Sequence, residues 1–410
     1  MQTPQNIPPL PLQDYWYELP VERIAEHPLA ERDRSKLLVY NIPSAQLQHQ
    51  SFEDLPTLLP AGSLLVVNHT RVIAARLHML KPTGGVVEVL LTDPVRPLRD
   101  PAAVLASHDR SVWRCLIGGK NVHPGLVLHE PTANLVATVI ERNGAEAHLE
   151  LSWERDVSLS QVVSEVGTLP LPPYIHRDAT AEDAVRYQTV YAVHEGSVAA
   201  PTAGLHFTST TFSELALKNI DRVDVTLHVG LGTFRPVEAL DAREHVMHEE
   251  RYGVTSESIK SMLLHASSAQ PWTTVVGTTS LRTLESLFAF GARLCRDGIH
   301  AHSSANVMQW EAFDQSLSNY TRIEVLAAIQ SWMELVQVKE VWGDTRIMLA
   351  PGCRIAMADA LITNFHQPGN TLLLLVAAFC GGDEWKNVYA AALNGDYRFL
   401  SYGDSSLLIR

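Results

Sequence analysis

Up to about residue 72 the apolar and polar positions fall in short runs. Lys36 to Tyr40 is apolar and rich in β-formers, and Ser63 to Val67 follows the turn Pro60-Ala61-Gly62. Between Val72 and Trp153 such runs recur at Val86 to Leu91, Val112 to Ile117, Leu126 to His129, Leu135 to Ile140 and His148 to Leu151. Gly84-Gly85, Gly118-Gly119 and Asn143-Gly144 mark turns between them. Strands at this spacing, without helical periods, predict a small barrel or sandwich set into a larger unit. After Trp153 helical periods predict helices over Ala181 to Val193, Thr211 to Lys218, Glu257 to Ala266, Thr279 to Ala292 and Ile323 to Val336. Strands are predicted near Asp224 to Val229 and Thr273 to Val276. A last strand pair, Thr345 to Leu349 and Ile355 to Ile362, precedes helices at Leu372 to Cys380 and Glu384 to Leu393. The pattern predicts an α/β main domain, discontinuous over 1–72 and 154–410, with an inserted all-β barrel domain over 73–153.

A chain of 410 residues exceeds one compact core, and 46% hydrophobic with 19% charged residues predicts a folded protein rather than a disordered one. Cys115, Cys295, Cys353 and Cys380 lie far apart and form no C-x-x-C pair, which argues against a zinc ribbon or an iron-sulfur cluster. The first residues lack the basic start and apolar stretch of a signal peptide. The longest apolar run, Leu372 to Cys380, is less than half of the ~20 residues of a membrane helix. A cytoplasmic protein without membrane contact is expected. A net charge of -13 weighs against nucleic-acid binding, but Arg71 to Lys120 carries eight basic residues against four acidic ones. That stretch is compatible with an RNA substrate or with an ordinary solvated surface.

Chemistry-bearing residues concentrate in four segments. Pro201-Thr202-Ala203-Gly204-Leu205-His206-Phe207 precedes a helix whose expected N-cap is Ser209 or Thr210, so small residues there would let a ligand approach backbone N–H groups. The strand Thr226 to Val229 with His228 runs into a turn with Gly230 and Gly232. It lacks the third glycine and the following helix of a dinucleotide fingerprint, and no Rossmann methyltransferase fold is expected. His245-Val246-Met247-His248-Glu249-Glu250 joins imidazoles to carboxylates in an order other than H-E-x-x-H, which suits proton transfer better than zinc. The last segment pairs Gly277-Thr278-Thr279-Ser280 with Thr363-Asn364-Phe365-His366. Singly, the segments have structural readings as a turn, a cap or a buried histidine; together, polar turns at strand ends suggest one composite site.

These strings, with Tyr17-Glu18-Leu19-Pro20, Asn68-His69-Thr70-Arg71-Val72, Leu169 to Ile175, Tyr187 to Tyr191 and Ser401-Tyr402-Gly403-Asp404, resemble the S-adenosylmethionine:tRNA ribosyltransferase-isomerase family of queuosine biosynthesis over most of the chain. The resemblance implies a monomeric or weakly associating cytoplasmic enzyme with a barrel inserted in an α/β domain. Its reaction would move the ribosyl part of S-adenosylmethionine, a co-substrate, onto 7-aminomethyl-7-deazaguanine at the tRNA anticodon wobble position, giving epoxyqueuosine, adenine and methionine. It implies no metal and no permanently bound cofactor.

Proton removal beside a sulfonium and proton donation to a departing purine suit histidines. The expected catalytic groups are therefore His206, His228 and His248 for acid-base work, with Glu249 orienting or stabilising positive charge on the sugar. Thr202, Ala203, Gly204, Gly230, Gly232, Thr278, Thr279 and Asn364 are expected to hold the co-substrate, and Asn68, Arg71 and Arg76 the RNA. The sequence departs from the family at His69, where a second Asn is usual, in a longer stretch from Arg293 to Gly343, and in stopping soon after Asp404. The alternatives are a relative that binds RNA or nucleotide with altered substrate or without catalysis, and a metal-dependent hydrolase using His245, His248 and His366.

Overall fold

The computed structural model describes residues 7–154, 156–230, 237 and 239–410. Strands β1 (Lys36–Asn41), β2 (Gln46–Ser51), β3 (Leu64–Asn68) and β4 (Thr70–Val72) come first. Then follow β5 (Arg76–Leu80), β6 (Val86–Arg96), β7 (Ser111–Ile117), β8 (Val127–Glu130), β9 (Leu135–Asn143) and β10 (Glu146–Ser152). The remaining strands are β11 (His194–Ser197), β12 (Asp221–Leu227), β13 (Glu250–Thr255), β14 (Thr273–Val276), β15 (Glu340–Thr345), β16 (Ala360–Asn364) and β17 (Ser405–Ile409).

Strands β5 to β10 close into an antiparallel barrel in the order β10-β7-β6-β5-β8-β9. Alternation of side chains places Leu77, Met79, Val89, Trp113, Leu135 and Leu149 in its interior. That core also takes Leu159, Val162, Val163 and Val198 from beyond the barrel. A nine-stranded sheet runs β15-β13-β12-β3-β14-β16-β17-β1-β2. At its centre β12, β3, β14 and β16 are parallel, and β3, β14 and β16 are buried along their whole length. Parallel strands covered on both faces need continuous apolar runs, which Leu64 to Val67 supplies. The antiparallel outer strands and this order differ from a doubly wound dinucleotide-binding sheet.

The main core packs around the helix Gly277–Asp297. Gly277, at φ +84, lets the chain turn sharply from β14 into it. Three of its buried hydroxyls are satisfied within the helix, because Ser280, Thr283 and Ser286 donate to the carbonyls four residues back, at 2.6 to 3.0 Å.

Several predicted elements shift. Ala181 to Val193 holds only the short helix Asp183–Arg186. Gln188 is drawn off to bond both backbone groups of Val72, and the Val193 N–H donates to the His69 carbonyl. The helix Ser209–Leu217 is capped by Thr208, whose hydroxyl accepts from the Thr211 N–H at 3.1 Å, rather than by Ser209 or Thr210. Strand β15 ends where the sequence pattern places its start, at Thr345.

Candidate functional site

In parallel sheets ligands sit in the crevice beyond the carboxyl ends of the strands. Register brings those ends together: Val225 of β12 pairs with Asn68 of β3, Val67 with Val276 of β14, and Val276 with Ile362 of β16. The residues next along the chain, Thr278, Thr279 and Asn364, line a cleft of about 620 Å³ with Thr202, Ala203 and His366. Ala199, Ala200, Pro201, Val229, Leu372 and Leu400 supply apolar wall.

The polar wall is cross-braced. Thr202 donates its hydroxyl to Asn364 Oδ1 at 2.9 Å, while Asn364 Nδ2 donates to His206 Nε2 at 3.3 Å and to the Asp404 carbonyl at 3.4 Å. The other ring nitrogen of His206 lies 2.8 Å from Ser35 Oγ. The Thr279 hydroxyl is buried with no partner among the described residues, and the helix beginning at Gly277 has no side-chain cap. An orphan hydroxyl at a helix N-terminus without a side-chain cap calls for a polar ligand. His366 bonds Thr363 Oγ1 at 2.9 Å, and burial lowers its pKa to about 3, so it enters the cleft as a neutral ring. Uncharged amide, hydroxyl and imidazole groups between apolar walls can read the edges of a nucleoside.

Against the sequence expectations, the three candidate histidines do not meet in this cleft. His206 stands behind Asn364 and lines a separate cavity with Arg32, Arg186 and Arg398. Burial, then the charges of Arg398 and Arg32, lower its pKa to about 3. His228 is buried in the seam between β4 and β12, with Nδ1 3.2 Å from Thr70 Oγ1 and its ring stacked parallel on Trp342. Its pKa is lowered to about 4, chiefly by burial. Of the three, His248 lines a second cavity that shares the Leu372 wall with the main cleft. Glu249 is held by Arg99 at 2.6 Å and Arg346 at 2.9 Å. Burial raises its pKa, but these guanidiniums outweigh that and hold it below the usual carboxylate range.

Three further expectations need correction. Asn68 is fully buried and spends its side chain on Leu227 and Thr70 backbone groups, so RNA cannot reach it. Gly204 packs away from the cleft wall, where an added Cβ would lie 2.0 Å from the Tyr191 hydroxyl oxygen. Gly230 is outside the main cleft and donates its N–H to Glu250 at 3.3 Å. Gly232 lies outside the described residues. Arg71 is exposed on a cleft of about 1000 Å³ beside the barrel, and Arg76 pairs with Glu88 at 3.4 Å. Tyr174, Gln367, Asn370 and Ser401 of the main cleft were given no role in the sequence analysis, although Tyr174 and Ser401 stand in the family strings, which were the available signal. Among the described residues no group of three His, Cys, Asp or Glu side chains converges as a metal site would, and no helix is long and apolar enough to cross a membrane.

Gly204→Ala is expected to cost about 2 kcal/mol of stability through overpacking against Tyr191 and Thr189. Urea unfolding measures this; unchanged stability with lost ligand binding would return Gly204 to the cleft.

Residues 12–408 match the queuosine biosynthesis protein family. The chain is 39% identical over 401 residues to the S-adenosylmethionine:tRNA ribosyltransferase-isomerase of Azoarcus sp. (strain BH72), covering 98% of each. It is 40% identical over 399 residues to the protein of the same name from Aromatoleum aromaticum, covering 97% of each. Among solved structures it is similar to S-adenosylmethionine tRNA ribosyltransferase of Thermotoga maritima, at 26% identity and TM-score 0.46, covering 97% of this chain and 100% of that one.

Proposed function

The chain belongs to the queuosine biosynthesis protein family, and from that membership we propose that it is an S-adenosylmethionine:tRNA ribosyltransferase-isomerase. The observation that carries this reading is identity of 35–40% over nearly the full length of relatives bearing that name. The reaction transfers and isomerises the ribosyl group of S-adenosylmethionine onto 7-aminomethyl-7-deazaguanine in the tRNA anticodon, releasing adenine and methionine. The cleft at the strand ends supports it as a nucleoside site. On this reading Thr202, Ala203, Thr278, Thr279 and Asn364 hold the adenosyl portion, with His366 as a neutral hydrogen-bonding group.

His248 is retained as the proton-transfer group, because it is exposed on a cavity that adjoins the main cleft. His206 acts as a positioning residue that fixes the Asn364 amide, and His228 and Glu249 organise the seams around the site. The barrel, taken as a domain over 73–153 within a main domain of 1–72 and 154–410, would flank the RNA, with Arg71 on the wide cleft between them. Cytoplasmic tRNA is the polymer substrate.

The full chain, incubated with S-adenosylmethionine and tRNA carrying the aminomethyl-deazaguanine base, is expected to release adenine and to yield epoxyqueuosine by nucleoside mass analysis. Binding of tRNA with no adenine released would instead favour a noncatalytic relative.

A further inference from the structure

Arg282 is 7% exposed in its side chain and lines the second cavity. Its Nη1 donates to Glu250 Oε2, but Nε and Nη2 are buried with no partner among the described residues. Two unpaired N–H groups on one buried guanidinium are costly, and native structures rarely leave them so. The two belong to the same edge of the planar group, where their N–H bonds run nearly parallel and match the two oxygens of a carboxylate. Glu250 fixes the plane from the other side.

The placement matches a ligand that spans both cavities. Thr278 and Thr279 lie one helical turn before Arg282, at i−4 and i−3, and so share its face of the helix Gly277–Asp297. The threonines line the main cleft, Arg282 lines the second cavity, and Leu372 walls both. We propose that the Nε–Nη2 edge of Arg282 binds the α-carboxylate at the amino-acid end of the co-substrate, while Thr279 and Asn364 hold its nucleoside end. This assignment rests on the reading of the main cleft as an S-adenosylmethionine site.

The test compares S-adenosylmethionine with its decarboxylated analogue in adenine release by the full-length enzyme with modified tRNA. Wild type is expected to favour the carboxylate form by about 100-fold in kcat/KM, as a bidentate charged pair implies. In Arg282→Gln and Arg282→Lys that preference should collapse to less than about threefold, through loss of activity on S-adenosylmethionine alone. Arg282→Lys keeps a positive charge toward Glu250, and Glu250→Gln/Arg282→Gln removes both charges, so the measurement survives if Arg282→Gln fails to fold. A preference unchanged in the variants, an absent preference in wild type, or a loss confined to the KM for tRNA would each overturn the assignment while leaving the reaction intact. Wild type that neither binds S-adenosylmethionine in equilibrium dialysis nor releases adenine from it would overturn the underlying reading and the assignment with it.

Discussion

Replacing Asn364 with alanine is expected to lower kcat/KM for adenine release by about a hundredfold or more. Its carboxamide closes β16 and takes part in three bonds, to Thr202, His206 and the Asp404 carbonyl. These bonds settle which way the amide faces: Oδ1 stands toward Thr202 and the nitrogen toward the ring. Truncation strands the Thr202 hydroxyl and a buried imidazole nitrogen, at about 1–3 kcal/mol for each. It also frees the wall that would orient the sugar, where a displacement of about 1 Å costs on the order of 10²-fold. Asn364→Asp should fare no better, because a carboxylate cannot donate to His206 Nε2. Steady-state kinetics alongside circular dichroism checks both variants; kcat/KM within about threefold of wild type in a folded Asn364→Ala protein would exclude this residue from the site.

Stability should fall steeply with pH below about 6.5. His206 and His366 are held to about 3 and His228 to about 4, in each case first by burial. Above the unfolded value near 6.5 all three are neutral in both states and contribute no pH dependence. Below it the unfolded chain takes up protons that the folded chain refuses, so ν_U exceeds ν_N and stability is lost as pH falls. The loss levels off only near the folded values. At about 1.4 kcal/mol per pH unit for each ring, three rings give a limiting slope of about 4 kcal/mol per unit. Urea midpoints measured from pH 7.5 to 4.5, with proton uptake on unfolding, decide the matter; uptake of fewer than one proton near pH 5 would contradict the buried neutral rings.

Much of the architecture was legible where apolar periodicity and burial coincide. Val86 to Leu91, Val112 to Ile117 and Leu135 to Ile140 lie inside β6, β7 and β9, and Thr279 to Ala292 inside the central helix. Strand β2 was not legible, because Gln46 to Ser51 is polar and largely exposed and owes its conformation to pairing with β1. Strand β17, Ser405–Ile409, is short and is defined by partners far away in sequence, β16 and β1.

The candidate site divided along similar lines. Thr278, Thr279 and Asn364 could be anticipated because strand-end turns converge wherever parallel strands are in register. The depth of each histidine could not. His206 and His228 look alike in sequence to a cleft residue, yet three-dimensional packing places one behind an amide and the other beneath Trp342. Nothing local in Gly277 to Arg282 announces that Arg282 would keep an edge of its guanidinium without a partner among the described residues, since that depends on Glu250, 32 residues earlier.

The order of the nine-stranded sheet has a consequence for self-association. A sheet that ends in bare backbone invites a strand from a second molecule, and the two ends here are β2 and β15. At β15 the Val307 and Arg346 amides exchange bonds with Asp344 and Val307, so an irregular segment already occupies that margin. At β2 the outward residues are glutamines and a histidine, well hydrated and with little apolar surface to reward docking. Fibre-like stacking through this sheet is thus blunted at both margins by covering on one and hydration on the other.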